Sequence, residues 1–180
     1  PNNIKIFPPV ICSSDKDKYE RIIEEIKYFH SKENPVLVIC KNIVELNKIS
    51  FMISSQIDDE SKLFKFDGTD LDKSSLENNS GKKGMITVGT NFCGRGANIN
   101  YSEEFPLHVI ISYGPSNFRS LWQAYGRTGR NGKSGTSRII STINEYLIRE
   151  LYDGNSLSNI IENYDIRKQK QFEYFDFFRA

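Results

Sequence analysis

Three observations place this chain in the α/β class, with a mainly parallel central sheet flanked by helices on both faces. Helical and strand-like segments alternate, the strand-like runs are short and continuously apolar, and glycine-rich segments flank those strands. Residues 14–31, SDKDKYERIIEEIKYFHS, place Tyr19, Ile22, Ile23, Ile26 and Phe29 on one stripe at steps of three and four, which predicts a helix. Ser13, Ser14 or Asp15 can cap it, and Asn34-Pro35 ends it. PVLVIC (35–40) then reads as a buried parallel strand. A second helical pattern follows at Ile43, Leu46, Ile49 and Ile53, and LFKF (63–66) reads as a short strand.

Residues 67–84 are polar and predict a loop with at most one helical turn. MITV (85–88) is the next buried strand, followed by the glycine-rich TNFCGRGANIN. LHVIISY (107–113) is another. Ser116 can cap a helix through FRSLWQAYGR, and GRTGRNGKSG leads into a last strand, TSRIISTI (136–143). After it the chain changes character. NEYLIREL (144–151) and the spacing of Leu157, Ile160, Ile161 and Tyr164 predict helix, and Phe172, Tyr174, Phe175, Phe177 and Phe178 crowd the end. Those rings imply a segment docked on its own core or on a partner domain; base stacking is the other use for them.

Length and composition narrow the classes. The chain has 180 residues, with 24 basic and 23 acidic side chains and a net charge of +1. That suits one domain with a small extension and a core that needs no disulfides. No apolar run approaches the roughly 18–20 residues that span a bilayer. PNNIKIFPPVICSS lacks the basic head and apolar stretch of a signal peptide. Cys12, Cys40 and Cys93 are far apart, with no C-x-x-C pair, which argues against zinc and suits a reducing compartment. His108, inside an apolar run, is expected to be a satisfied packing residue.

Charge is uneven along the chain. No acidic residue lies between Glu104 and Glu145, a window that holds Arg119, Arg127, Arg130, Lys133 and Arg138. Such a stretch can face phosphate, nucleic acid or an acidic partner, or it can pair with carboxylates from elsewhere in the fold. The interleaved glycines favour phosphate. In QAYGRTGR (123–130), Arg127 and Arg130 lie three apart around Gly129. That spacing can aim two planar cations to one side, as phosphoryl transfer requires. In TVGTNFCGRGANI (87–99), Arg95 is flanked by glycines, and Thr90 and Asn91 stand at a strand end. Ligands of parallel sheets bind at the carboxyl ends of strands, and both segments are expected to meet on one edge.

Three strings are decoys. Gly132-Lys133-Ser134 ends like a phosphate loop, but Arg127 stands where its first glycine belongs and a strand follows instead of a helix. Asp58-Asp59-Glu60 has no buried strand before it. Gly94-Arg95-Gly96 has Ile99 at the third glycine position of a dinucleotide fingerprint. The chain therefore carries no triphosphate-binding loop of its own.

TVGTNFCGRGANI resembles motif V of superfamily-2 motor ATPases, and most of all the SecA protein-translocation ATPases. QAYGRTGRNGKSG is similar to their motif VI. DKYERIIEEIKYFHSKENPVLVI (17–39) and LHVI (107–110) extend the likeness, and spacing is kept across about residues 15–143. The resemblance implies a RecA-like three-layer sandwich over 1–143, the second motor domain with motifs IV to VI, followed by a helical extension over 144–180. It implies ATP held between two RecA-like domains, with the Walker loops and most of the Mg2+ ligation in a first motor domain of the same longer chain. Carried over by position, Arg127 and Arg130 would be the catalytic arginines that reach the phosphates. Gln123 would order motif VI with Gly126 and Gly129. Thr90, Asn91, Gly94, Arg95, Gly96 and Asn98 would line the nucleotide cleft.

Two positions depart from the family. Asn98 replaces the aspartate usual in motif V, and Tyr125 stands where SecA usually has another arginine. The 180 residues alone are expected to bind nucleotide weakly and not to hydrolyse it. Polypeptide is the favoured track and peripheral membrane association stays open. The alternatives are an RNA or DNA helicase motor and a non-catalytic interaction module built on the same fold.

Overall fold

A computed structural model describes residues 3–67, 73–90, 98–114, 123–142 and 144–145. Among them lie the strands β1 (Ile4–Ile6), β2 (Val10–Cys12), β3 (Val36–Cys40), β4 (Leu63–Phe66), β5 (Ile86–Thr90), β6 (His108–Ile111) and β7 (Gly135–Thr142). The helices are α1 (Asp15–Ser31), α2 (Ile43–Ser54) and α3 (Lys73–Asn79). All strand pairs are parallel, in the order β1-β7-β6-β3-β5-β4, and β2 also pairs with β7. β3, β5 and β6 are buried at every position because both faces are covered. The register aligns Val36 with Ile86 and His108, and His108 with Thr136, so the amino ends of the central strands are level.

The first thirteen residues hold two strands that the pattern does not reveal. β1 pairs with Gly135–Ser137 and β2 with Ile140–Thr142, so one edge of β7 is met twice. Pro8-Pro9 separates them; proline has no amide to add to a ladder, which confines it to such an edge. Three-residue strands are too short to show alternation.

Ser14 caps α1 by accepting from the Asp17 amide, and Asn42 caps α2 by accepting from the Glu45 amide. Tyr19, Ile22, Ile23 and Ile26 of α1 and Leu46, Ile49 and Ile53 of α2 pack with Val36, Val38, Ile86, Val88 and Ile110 on one face of the sheet. Ile43, the first residue of the α2 stripe, stays 44% exposed. The opposite face carries Leu37, Ile39, Val109 and Ile111, covered by Ile99, Tyr101, Leu107, Ala124 and Tyr125. α3 replaces the single helical turn expected in 67–84. Its one anchor is Leu76, buried with Phe66, and a lone apolar residue leaves no periodicity to read. The helix expected from Ser116 onward lies outside the described residues except at 123–125, which are helical.

Two ionic clusters close the ends of the α1 face. At the carboxyl ends, fully buried Lys18 donates to Glu45 Oε1 (2.6 Å), to the Ser112 carbonyl (3.1 Å) and to Glu145 (2.8 and 2.9 Å), and Lys41 also pairs with Glu145. Burial pushes the Lys18 ammonium down, but its bonds to Glu145 and Glu45 outweigh that and hold it above the ordinary lysine range. Glu145 lies past β7 and is thereby tied to the start of α1.

At the amino ends, Glu25 meets His108 Nε2 (3.0 Å), Arg138 Nε (2.8 Å) and Arg21 Nη2 (3.0 Å). His108 Nδ1 lies 2.7 Å from the Thr136 hydroxyl, and Phe29 stacks on the imidazole at 3.6 Å. This network fits a neutral ring that donates from Nε2 and accepts at Nδ1. Burial pushes His108 down against the pull of Glu25. For Glu25, burial pushes up, while His108, Arg138 and Arg21 outweigh it and hold the carboxyl low. The packing role expected for His108 holds.

Lys18→Met leaves Glu45 buried beside Glu145 without the ammonium between them, and is expected to cost ~3–5 kcal/mol in urea unfolding. A loss below ~1 kcal/mol would mean the network behaves as a surface pair. Acid acts on the second cluster. An unfolded chain protonates His108 near 6.5, and the folded chain resists it, so stability falls as pH drops below 6.5. Glu25, held low, adds stability above 4.5 that is lost further into acid. Melting temperature followed against pH should therefore begin to decline below 6.5, and His108→Gln should delay the decline to the carboxylate range.

Candidate functional site

The arginine–glycine turn sits at the amino ends of β6 and β7. It leaves the helical residues 123–125 through two tight bonds, Arg127 amide to Ala124 carbonyl (3.3 Å) and Thr128 amide to Tyr125 carbonyl (3.2 Å). Gly129 then takes φ +69°, the left-handed region that glycine enters without a steric penalty. A Cβ there would stand 2.2 Å from Cγ1 of Ile4 in β1. The Gly129 amide is buried and donates to the Tyr101 hydroxyl at 2.7 Å, and the Thr128 hydroxyl donates to the Leu107 carbonyl at 2.8 Å. Asn131 (φ +55°) and Gly132 (φ +79°) complete the reversal into β7. Asn3 clamps it from the edge, donating from its side chain to the Gly132 carbonyl (3.2 Å) and accepting the Gly135 amide at its own carbonyl (2.9 Å).

The side chains differ in exposure. Gln123 is exposed, and Gly126 and Arg130 are half-buried. Arg127 is 7% exposed. Arg130 Nε folds back onto the Gly126 carbonyl, and both arginines are engaged within the domain. Tyr125 is almost fully buried in the sheet face, and burial drives its phenol far above the ordinary range. The position that departs from the family is thus a core position in this chain.

The other segment divides. Thr90, at the carboxyl end of β5, is buried with its hydroxyl 3.5 Å from the Asp67 carbonyl. Asn98, half-buried, donates its amide to Glu77 Oε1 of α3 at 2.7 Å. Asn91, Gly94, Arg95 and Gly96 lie outside the described residues. A five-residue strand rises ~13 Å, so Thr90 and the turn stand at opposite ends of the sheet. At the amino edge the turn meets Tyr101, which follows the second segment, whereas the strand-end rule points to the carboxyl edge. Thr90 stands at the carboxyl end of the sheet and Tyr101 at the amino end, a separation that spacing along the sequence does not disclose.

The positive window also resolves. Arg138 pairs with Glu25 on the far face and lies over the Phe7 ring, and Lys133 Nζ donates to the Tyr101 carbonyl at 2.7 Å. Both serve the fold. Of the decoys, Gly132-Lys133-Ser134 does lead into a strand, and Asp59 uses its carboxylate on the Ser61 amide and hydroxyl. Sequence reasoning missed Tyr101, Glu77 and Asn3, which carry no spacing signal. It also missed Lys18 and Glu25, although both fall on the apolar stripe of α1, and a charge on such a stripe marks a buried pair.

Solved structures share this architecture. The second domain of the DEAD-box helicase Mss116p, bound to an RNA duplex, superposes with a TM-score of 0.64 at 20% identity, over 84% of this chain and 59% of that one. A DEAD-box protein from Methanococcus jannaschii gives 0.58 at 20% identity, over 83% and 39%. The fold is therefore that of a RecA-like motor domain of the helicase type. The SecA P-loop domain family matches residues 7–112, more than half the chain, and the protein belongs to that family. Protein translocase subunit SecA of Desulforapulum autotrophicum is 29% identical over 94% of this chain and 20% of its own length. SecA of Campylobacter hominis is 27% identical over 91% and 19%, and SecA of Clostridium tetani 30% over 85% and 18%. The chain thus spans about a fifth of these relatives. Among the described residues no helix is long and apolar enough to cross a membrane.

Gly129→Ala tests the turn. Left-handed strain of ~1–2 kcal/mol adds to the overlap with Ile4, so a loss of about 2 kcal/mol or more is expected in urea unfolding. Adding Ile4→Ala should relieve the overlap and leave the strain.

Proposed function

We propose that this chain is the second motor domain of a SecA-type translocase ATPase. In this reading Arg127 and Arg130 stabilise the phosphates of ATP gripped by a Walker-bearing lobe of the same longer polypeptide. The observation that carries it is the construction of the turn. Its backbone is buried and bonded on both sides, while the Gln123 side chain is exposed and Arg130 is half-buried. Fixed donors aimed at a phosphate need no rearrangement as charge develops, which is most of the catalysis in phosphoryl transfer.

The residues fit a triphosphate. The turn carries two guanidiniums, no carboxylate interrupts it, and a Cβ built at Gly132 meets nothing within 4 Å, so the backbone there is open to approach. Arg130 takes the leading role because it is the more exposed. Arg127 reaches the nucleotide when the two lobes close. Gln123, Gly126 and Gly129 shape the turn, and Asn98 with Gly94, Arg95 and Gly96 forms the neighbouring wall. Thr90, at the carboxyl end of β5, and Asn91 complete the nucleotide contacts of this reading.

Polypeptide is the favoured track. The relatives are named as protein translocase subunits, and the internal use of Lys133 and Arg138 shrinks the positive surface a nucleic acid would need. The helical extension expected over 144–180 lies outside the described residues except at 144–145, where Glu145 pairs with Lys18 of α1.

In the full-length protein, Arg130→Ala is expected to lower ATP turnover by ~10³-fold or more. Steady-state hydrolysis assays check this, and unchanged turnover would overturn the assignment. Strongly salt-dependent binding of single-stranded RNA or DNA would favour the helicase reading.

A further inference from the structure

Tyr101 lies outside both arginine–glycine segments, yet three groups of the turn converge on it. The Gly129 amide donates to its hydroxyl at 2.7 Å. The Thr128 hydroxyl lies 3.3 Å from the same oxygen and 2.8 Å from the Leu107 carbonyl. Lys133 Nζ donates to its backbone carbonyl at 2.7 Å and stands 5.5 Å from the ring centroid. The ring itself is 5% exposed and packs on the sheet face with Tyr125 and Leu107.

Proton counting orders these contacts. Thr128 has one hydroxyl proton, and the shorter bond assigns it to Leu107. The phenol then donates to Thr128 Oγ1 while accepting from Gly129. One directed chain results: Gly129 amide, Tyr101 hydroxyl, Thr128 hydroxyl, Leu107 carbonyl. It anchors Thr128 and the Gly129 amide, between Arg127 and Arg130, to the start of β6. Every group in it is buried, so no water can replace a lost member.

We infer that Tyr101 is a positioning residue for the arginine turn, setting the aim of Arg127 and Arg130 through its hydroxyl. The inference rests on the proposed role of those arginines. It also couples residues 98–101 to the turn. Asn98 is held by Glu77 and Tyr101 by Gly129, so a shift of one segment displaces the other.

Tyr101→Phe removes only the oxygen and leaves the Gly129 amide buried without an acceptor. In the full-length protein, checked for native circular dichroism and assayed well below its melting point, kcat for ATP should fall about 10–100-fold with KM changed much less. Thr128→Val breaks the same chain one link on, with nearly the same shape, and should reproduce that split. Arg130→Ala measured alongside separates the two proposals. If Arg130→Ala abolishes turnover while both Tyr101→Phe and Thr128→Val keep the wild-type kcat, Tyr101 is packing only and the inference fails. If Arg130→Ala leaves turnover intact, the arginine role itself has failed.

Discussion

A backbone amide that cannot reach water governs the layout of this domain's amino edge. Gly129 turns left-handed against Ile4, where no Cβ would fit, and its N–H is sealed inside the turn. An unbonded amide in that position would cost ~1–3 kcal/mol, and the Tyr101 hydroxyl removes the cost. Much else follows from that one contact. Tyr101 must lie on the sheet face, where it packs with Leu107 and Tyr125. Ile4 and Asn3 must reach the end of β7, so the first strand must pair at the edge. The arginines are then presented by a turn with little freedom to move.

The charged residues sort into two uses. Some hold the fold together: Lys18 with Glu45 and Glu145 at one end of the sheet, and Glu25 with His108, Arg138 and Arg21 at the other. Each group is charge-balanced or hydrogen-bonded throughout, as burial demands. Others gather at the arginine turn, half-buried Arg130 beside buried Arg127, where positive charge has a phosphate to meet in the proposed function. The window without acids therefore holds two populations. Arg138 belongs to the first, because β7 alternates its side chains and sends that one toward α1.

Much of the fold is legible in the sequence. The stripe of α1 with its Ser14 cap and the apolar runs of β3, β5 and β6 are local signals, and local signals survive into the structure because burial on a periodic element leaves a periodic trace. The resemblance carried by 87–99 and 123–135 leads to the right family. The failures share a cause. β1 and β2 are three residues each, α3 hangs on Leu76 alone, and Tyr101 acts from across the sheet; none of these contacts has a period.

From the residues alone come the α/β class, the mainly parallel sheet implied by alternation and the glycine-bounded arginine pair. Each depends on neighbours a few positions apart, where covalent geometry fixes what can face what. Tertiary structure alone decides which end of the sheet the turn occupies, which basic residues are used internally and which phenol meets the turn. Those outcomes depend on how distant segments return to one another, and the chain can make such returns only by satisfying buried polar groups that no short stretch of sequence displays.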